Sequence, residues 1–144
     1  MTQQIIPDLY KSVTHTCPYL KDKTAANLLV DPKHNVTPTL YDSLIQNGFR
    51  RNGVLYYRPQ CPNCTECRSV RILVRDFQAN RSQKRTEKRN KDVKFEFRPP
   101  SYSEEHFALY RRYQASRHQG DSMDDPDPEK YQQFLIRSNI TRKL

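Results

Sequence analysis

The segment from Arg81 to Lys91 constrains the fold more than any other, because it is long enough for a helix yet offers no apolar stripe to bury. Its cations recur at i, i+3, i+4, i+7 and i+8, the spacing that places side chains on one face of a helix. The residues on that face are Arg81, Lys84, Arg85, Lys88 and Arg89. The pattern predicts an exposed helix with a basic face rather than a helix of the core.

A basic face of this kind is unfavourable in isolation, so it indicates a polyanionic partner. Like charges one helical turn apart destabilise a helix by a few tenths of a kcal/mol per pair, on the order of 0.2 to 0.5. Phosphates spaced along a nucleic acid would offset that repulsion without any reading of the bases. We therefore predict that the five cations and the following Lys91 bind the backbone of an RNA, with no DNA partner. The alternative is a helix that is merely solvated.

The composition favours a basic, water-facing protein. The 144 residues carry a net charge of +9 and only 35% of them are hydrophobic, so we expect one domain or slightly more around a modest core. No apolar run is long enough to span a bilayer, and the first residues lack the pattern of a secretory signal. We predict a cytoplasmic protein without a membrane partner. Nothing in the sequence indicates an oligomeric state.

Three cysteines stand at two-residue spacing, namely Cys61, Cys64 and Cys67. In a reducing compartment such a run indicates metal binding or catalysis rather than disulfides. Cys17 is the fourth thiol of the chain and completes a four-sulfur set, with His15 as the rival fourth ligand. The set predicts a zinc ion or an iron–sulfur cluster. The alternative is free thiols that line a turn of the core.

The rest of the chain predicts an α+β fold with a mainly antiparallel sheet and flanking helices. We expect helices from Thr37–Pro38 to Gly48, from Ser103 to Gly120 and from Asp127–Pro128 onward, where capping residues and first-turn prolines or carboxylates stand. Strands are expected in residues 25–30, 68–75 and 93–97, with a hairpin turn at Asn52–Gly53. The helix after Ser103 is expected to bury one face made of Phe107, Tyr110 and Tyr113.

Signals for catalysis are few. The chain has three glycines and no glycine-rich phosphate loop. Arg117 and His118 are candidates for an anion clamp and a proton carrier, although a histidine at a helix end commonly bonds to the helix carbonyls instead. No residue stands out as catalytic.

Several short motifs, taken in order, resemble the bacterial aminoacyl-tRNA–protein transferases. They are CPYL at 17–20, LLVDP at 28–32, GFRR at 48–51, YRPQCPNCTEC at 57–67, RI at 71–72 and RSQKRTEKRN at 81–90. Each motif is weak alone, whereas their joint order is specific. The resemblance runs from Cys17 onward and covers nearly the whole chain.

The resemblance implies an enzyme that moves leucine from leucyl-tRNA onto proteins that begin with Asp or Glu, which marks them for degradation by the N-end rule pathway. Transfer of arginine from arginyl-tRNA is the alternative within the class. A tRNA-binding segment that is stabilised by a metal or by its thiols, without activity, is the alternative outside it. The transfer itself is expected to require no cofactor.

The resemblance also implies a fold related to the acyl-CoA N-acyltransferases. Members of the family run well past residue 144. Residues 1–98 are therefore expected to form an N-terminal domain that holds the cysteines and the basic helix. Residues 99–144 are expected to be the truncated beginning of the acyltransferase domain.

An acceptor that begins with an acidic residue calls for a cation that faces its carboxylate, best a guanidinium that binds both oxygens. We expect the hairpin to present Arg50, Arg51 and Arg58 beside the cysteines, with Tyr19 as a hydrogen-bonding neighbour. An N-terminal amine has a reference pKa of about 7.7 to 8.0. Part of it is therefore unprotonated near neutrality, and a strong general base is not required.

Overall fold

The computed structural model describes residues 7–120, 124–138 and 140. Its strands are β1 (Leu9–Lys11), β2 (His15–Thr16), β3 (Thr24–Ala25), β4 (Asn27–Val30), β5 (Arg50–Asn52) and β6 (Leu55–Pro59). Four of them form an antiparallel sheet in the order β1-β4-β6-β5, and β2 pairs with β3 in a separate antiparallel ribbon. The predicted α+β class with a mainly antiparallel sheet is confirmed.

The helices lie where the capping residues predict them. They are α1 (Pro38–Gln46), α2 (Arg81–Arg89), α3 (Glu104–Arg117) and α4 (Pro128–Tyr131), and a π-helix at Gln132–Ile136 continues α4. The side chains of Thr37 and Asp127 accept hydrogen bonds from the first turns of α1 and α4, each of which begins with proline. No helix in the described ranges is both long and apolar enough to cross a bilayer. The relation to the acyl-CoA N-acyltransferases and the division near residue 98 stay predictions.

The hairpin of β5 and β6 carries Arg50, Arg51 and Arg58. Its register pairs Arg50 with Tyr57 and Asn52 with Leu55, so the turn consists of Gly53 and Val54. The predicted turn at Asn52–Gly53 was therefore one residue early. Gly53 has a positive φ of 59°, and a glycine at the first central position is the requirement of a type II′ turn, which suits the twist of a hairpin.

The core is small and lies between α1 and the four-stranded sheet. Its buried members are Val30, Val36, Leu44, Phe49 and Tyr56, packed against Leu28, Leu40, Tyr41 and Ile140. Full burial of one such apolar side chain stabilises the fold by about 1.5 to 3 kcal/mol. The core thus holds β4, β6 and α1 as one unit, which fixes the edge where the cysteines lie.

The strands predicted at 68–75 and 93–97 are wrong. Both segments lack β-pairing, and Val74–Asp76 is a short 3₁₀ helix. Val70 is 93% exposed and Phe95 is 90% exposed, so the alternating apolar residues bury no face. A strand needs a neighbour to complete its hydrogen bonds. Among the described residues, no strand lies beside either segment.

The predicted buried face of α3 is only partly correct. The rings of Phe107 and Tyr110 lie 5.3 and 5.0 Å from that of Tyr131 in α4, whereas Tyr113 is 56% exposed. The buried residue of the helix is instead Gln114. Phe107 and Tyr110 contact Tyr131 of α4, whereas the Tyr113 ring lies outside this contact and is exposed to solvent.

Candidate functional site

All four cysteines line a single cavity of about 490 Å³, which we call the thiol cavity. The ribbon of β2 and β3 forms one wall, and the ends of β5 and β6 with the segment 61–68 form the other. The cavity thus joins the two cysteine regions that the sequence separates by more than forty positions, since the β4–β6 pairing draws them together. His15 also lines it, as does Tyr19, which is 75% exposed.

Backbone hydrogen bonds hold the thiols in place. The sulfur of Cys17 accepts a hydrogen bond from the Leu20 N–H at 3.4 Å. The Cys61 thiol donates to the carbonyl oxygen of Ala26 at 3.8 Å, and Cys61 forms an isolated β-bridge with Cys64. Cys61 is therefore anchored at Ala26, between β3 and β4, and the Cys17 backbone N–H donates to the Lys23 carbonyl oxygen just before β3, at 2.8 Å.

The prediction of a bound metal concerns the four cysteines that line the thiol cavity. Among the described residues, no three His, Cys, Asp or Glu side chains are grouped so that they could share a metal ion. The zinc ion or iron–sulfur cluster predicted on Cys17, Cys61, Cys64 and Cys67 stays a prediction.

Basic side chains line the thiol cavity together with the cysteines. Arg50 lines it, as predicted, and Lys23 and Arg68 join it. Arg50 sits in β5 opposite Tyr57, which lines the cavity too. One carboxylate, Glu66, is also part of the lining. Three cations and one carboxylate suit a ligand that carries both an anionic and a cationic group.

The other two hairpin arginines contact their own chain. Arg51 donates from Nη1 to the Gly53 carbonyl oxygen at 3.0 Å and so braces the turn. Arg58 donates from Nη1 to the Asn47 carbonyl oxygen at 3.1 Å, and its guanidinium lies 5.2 Å from the centre of the Phe49 ring. Neither residue lines the thiol cavity. Of the three predicted arginines, the structure brings Arg50 alone to the cysteines.

Arg117 and His118 lie at the end of α3 and are not part of the thiol cavity. The His118 backbone N–H donates to the Gln114 carbonyl oxygen at 2.8 Å, and its ring lies 6.0 Å from that of Tyr113. The pair therefore occupies a helix terminus, and its role in substrate binding stays a prediction.

The basic helix α2 has no buried residue, as the sequence predicts. Asn80 and Gln83 form a capping box at its start, with hydrogen bonds of 2.9 and 2.8 Å. Lys91 lies two residues beyond the last helical residue. No ion pair between described residues involves Arg81, Lys84, Arg85, Lys88, Arg89 or Lys91. Five cations are thus displayed along the exposed helix.

Two site residues were missed by sequence reasoning. Arg68 follows Cys67 directly, yet it was assigned to a strand. Lys23 is distant in sequence from Cys61, Cys64 and Cys67. The pairing of β2 with β3 places it beside Cys17 in the cavity. The adjacency of Arg68 to the last cysteine was a usable signal, whereas Lys23 offered none.

Comparison with known proteins finds a family match and a set of similar proteins. The family described as arginine-tRNA-protein transferase, N terminus, matches residues 15–85. An aspartate/glutamate leucyltransferase of Methylobacillus flagellatus is 44% identical over 131 residues, which is 91% of this chain and 53% of the relative. Those of Hahella chejuensis and Pseudomonas aeruginosa are 43% and 40% identical, covering 90% and 95% of this chain and 55% and 58% of the relatives. No solved structure matches the chain.

The chain therefore belongs to the aminoacyl-tRNA–protein transferases, and the match is to their N-terminal part. The relatives that it resembles over nine-tenths of its length are aspartate/glutamate leucyltransferases. It spans about half the length of those relatives.

Proposed function

We propose that this chain is part of an enzyme that transfers leucine from leucyl-tRNA to proteins that begin with Asp or Glu. The observation that carries the proposal is the thiol cavity, where Arg50, Lys23 and Arg68 surround a space of about 490 Å³. The identity of 44% to a protein named for this activity supports it. The acceptor would bind in the thiol cavity and the tRNA along α2.

The reaction is an aminolysis of an ester. The neutral α-amine of the acceptor forms a bond to the carbonyl carbon of the leucyl group, and the ester bond to the tRNA ribose breaks. The amine loses a proton and the released ribose hydroxyl gains one, so no oxidant or cofactor enters the balance. Because the amine is partly neutral at pH 7, positioning and stabilisation of the oxyanion can supply most of the rate.

The thiol cavity supports recognition of the acceptor by charge. A guanidinium that binds both oxygens of a carboxylate favours Asp or Glu over an uncharged residue. Arg50 is the suited group because it lies in β5, paired with β6, and lines the cavity. Glu66 offers a carboxylate for the acceptor's protonated amine before reaction. A single cavity thereby matches both charges of an acidic N-terminal residue.

The α2 surface supports binding of the donor. Five cations spaced over nine helical residues would follow a phosphate backbone without reading its sequence. A protein that must accept a charged tRNA by its shape and charge needs contacts of this kind. The helix lies only thirteen residues beyond Arg68, in the same continuous segment of chain.

The experiment is a transfer assay on a chimera in which this chain replaces the matching 131 residues of the Methylobacillus flagellatus relative. Leucyl-tRNA and arginyl-tRNA are supplied side by side with peptides that begin with Asp, Glu or Ala. We expect leucine on the Asp and Glu peptides and none on the Ala peptide. Absence of any transfer from a folded chimera that binds tRNA would contradict the proposal.

Arginine is the second candidate for the donated residue, because the matching family is described by arginine transfer. The same assay decides between them. Transfer from arginyl-tRNA alone would replace leucine by arginine in the proposal, with the acceptor side unchanged.

A further inference from the structure

A second cavity adjoins the thiol cavity, with which it shares Arg50 and Arg68. It has a volume of about 570 Å³, and Arg71 is a third guanidinium in its lining. No Asp or Glu is among the described residues that line it. We call it the arginine cavity. Three guanidinium groups without a carboxylate form a strongly anion-selective surface.

A hydrogen-bonded serine braces the cavity wall. The Arg50 Nε–H donates to Ser69 Oγ at 3.3 Å, and the Ser69 hydroxyl donates to the Gly48 carbonyl oxygen at 3.3 Å. This chain of bonds ties the segment that carries Arg68 and Arg71 to β5. It uses one of the five N–H donors of Arg50. The cations are thus placed by the fold rather than left on separate loops.

The remaining side chains of the lining are largely apolar and aromatic. Tyr41 and Ile45 of α1 line the cavity together with Phe49. The Tyr41 ring is held by an edge contact with the buried Tyr56 ring, at 5.8 Å between centroids. Aromatic side chains next to cations are the combination that binds nucleotides, since a base stacks on a ring while its phosphate meets a guanidinium.

We propose that the arginine cavity binds a nucleotide, with the phosphate on Arg68 and Arg71 and the base against Tyr41. The volume suits a single nucleotide, because small-molecule cavities of about 300 to 1,000 Å³ hold ligands of that size. The identity of the nucleotide rests on the proposed function, in which it is the 3′-terminal adenosine of the tRNA. The shared residues Arg50 and Arg68 would then put the aminoacyl ester at the border of the thiol cavity.

The test is a titration of this chain with adenosine 5′-monophosphate, followed by calorimetry. The variants are Arg71→Ala and its matched control Arg75→Ala. Both remove one exposed guanidinium from the same segment, but only Arg71 lines the cavity. Loss of one charge-assisted phosphate contact predicts affinity about tenfold weaker for Arg71→Ala. Arg75→Ala should stay within about twofold, the range of general charge effects.

Two further ligands distinguish the contribution of the base to the affinity from that of the phosphate. Inorganic phosphate and ribose 5-phosphate should bind more weakly than the nucleotide, because neither can stack on Tyr41. Circular dichroism verifies that both variants remain folded. Equal weakening by the two variants, or equal affinity for ribose 5-phosphate and the nucleotide, would overturn the inference.

This titration needs no tRNA and no transfer. A chimera that transfers no leucine, while the chain binds the nucleotide through Arg71, would overturn the proposed function alone. A chimera that transfers leucine, while Arg71→Ala leaves nucleotide affinity unchanged, would overturn this inference alone.

Discussion

Gly53 and Gln133 approach so closely that a Cβ on Gly53 would lie 2.0 Å from the main-chain carbonyl oxygen of Gln133. The hairpin turn therefore packs on the backbone of the π-helix Gln132–Ile136. This contact joins the strand that carries Arg50 to the end of the described chain. The hydrogen bond from Arg51 to the Gly53 carbonyl oxygen holds the turn in that position.

Replacement of Gly53 by alanine should destabilise the fold beyond the cost of its backbone conformation. Any non-glycine residue at a positive φ costs about 1 to 2 kcal/mol, and here the added methyl also meets backbone that must move. We expect the free energy of unfolding in urea to fall by at least about 2 kcal/mol. The matched control is Gly48→Ala, with φ of +79° and nothing within 4 Å of the added Cβ.

Gly48→Ala should lower the free energy of unfolding only by the cost of alanine at a positive φ, because its added Cβ meets no neighbouring atom. Equal losses of stability for Gly53→Ala and Gly48→Ala would mean that the hairpin does not pack on the π-helix.

Local signals predicted much of this fold. The cap and first-turn proline at Thr37–Pro38 locate α1, and the absence of apolar residues locates α2 on the surface, since both depend only on neighbours in the chain. The alternation at 70–74 and 93–97 has the period of a strand, but pairing requires a second strand elsewhere. No described strand supplies one, so the local alternation alone does not make these segments strands.

The thiol cavity was only partly predictable for the same reason. The cysteine spacing and the nearby Arg50 are visible in the sequence, and the structure brings Arg50 to the cysteines. That Arg58 instead stacks on Phe49 depends on the side of β6 it occupies and on the position of α1's end at Asn47. Lys23 joins the cavity through the β2–β3 register, which short two-residue strands do not reveal in advance.

The stability of the α3–α4 pair should fall in alkaline solution. Burial raises the pKa of Tyr131, with the neighbouring Tyr110 adding to it. The neutral phenol is the form favoured by folding, so its contribution is complete below the unfolded pKa of about 10 and is lost as pH rises through the higher folded pKa. Between about pH 9 and 11, Tyr131→Phe should lose less stability than the unmodified chain in urea titrations. Its control is Tyr113→Phe, on an exposed ring of the same helix pair.

A steeper or equal alkaline loss in Tyr131→Phe, relative to the unmodified chain, would show that this phenol does not titrate out of a buried site.

Arg50 should govern the choice of acceptor. In the chimera, Arg50→Ala should raise KM for a peptide that begins with Asp about tenfold or more, because a bidentate ionic contact is lost, with a smaller change in kcat. It should also erase the preference for Asp over Asn at the first position. Arg58→Ala is the matched control, since its guanidinium contacts Phe49 and Asn47.

The Arg58→Ala control should lower thermal stability and leave the preference for Asp intact. A variant without Arg50 that still prefers Asp over Asn would remove this residue from acceptor recognition.

The central claim, that a charged tRNA binds along α2, is tested most directly by the salt dependence of tRNA affinity. Each phosphate contact contributes a slope of about 0.7 to 0.9 to log K against log salt. A variant with all five α2 cations changed to Gln is compared with one that lacks five exposed cations elsewhere: Lys11, Lys21, Lys33, Arg75 and Arg112. Both lose the same net charge.

We predict that the α2 variant lowers the slope by about 3.5 to 4.5, in proportion to five lost contacts, while the control variant lowers it much less. Equal slopes for the α2 variant and the unmodified chain, measured over the same range of salt, would contradict the account.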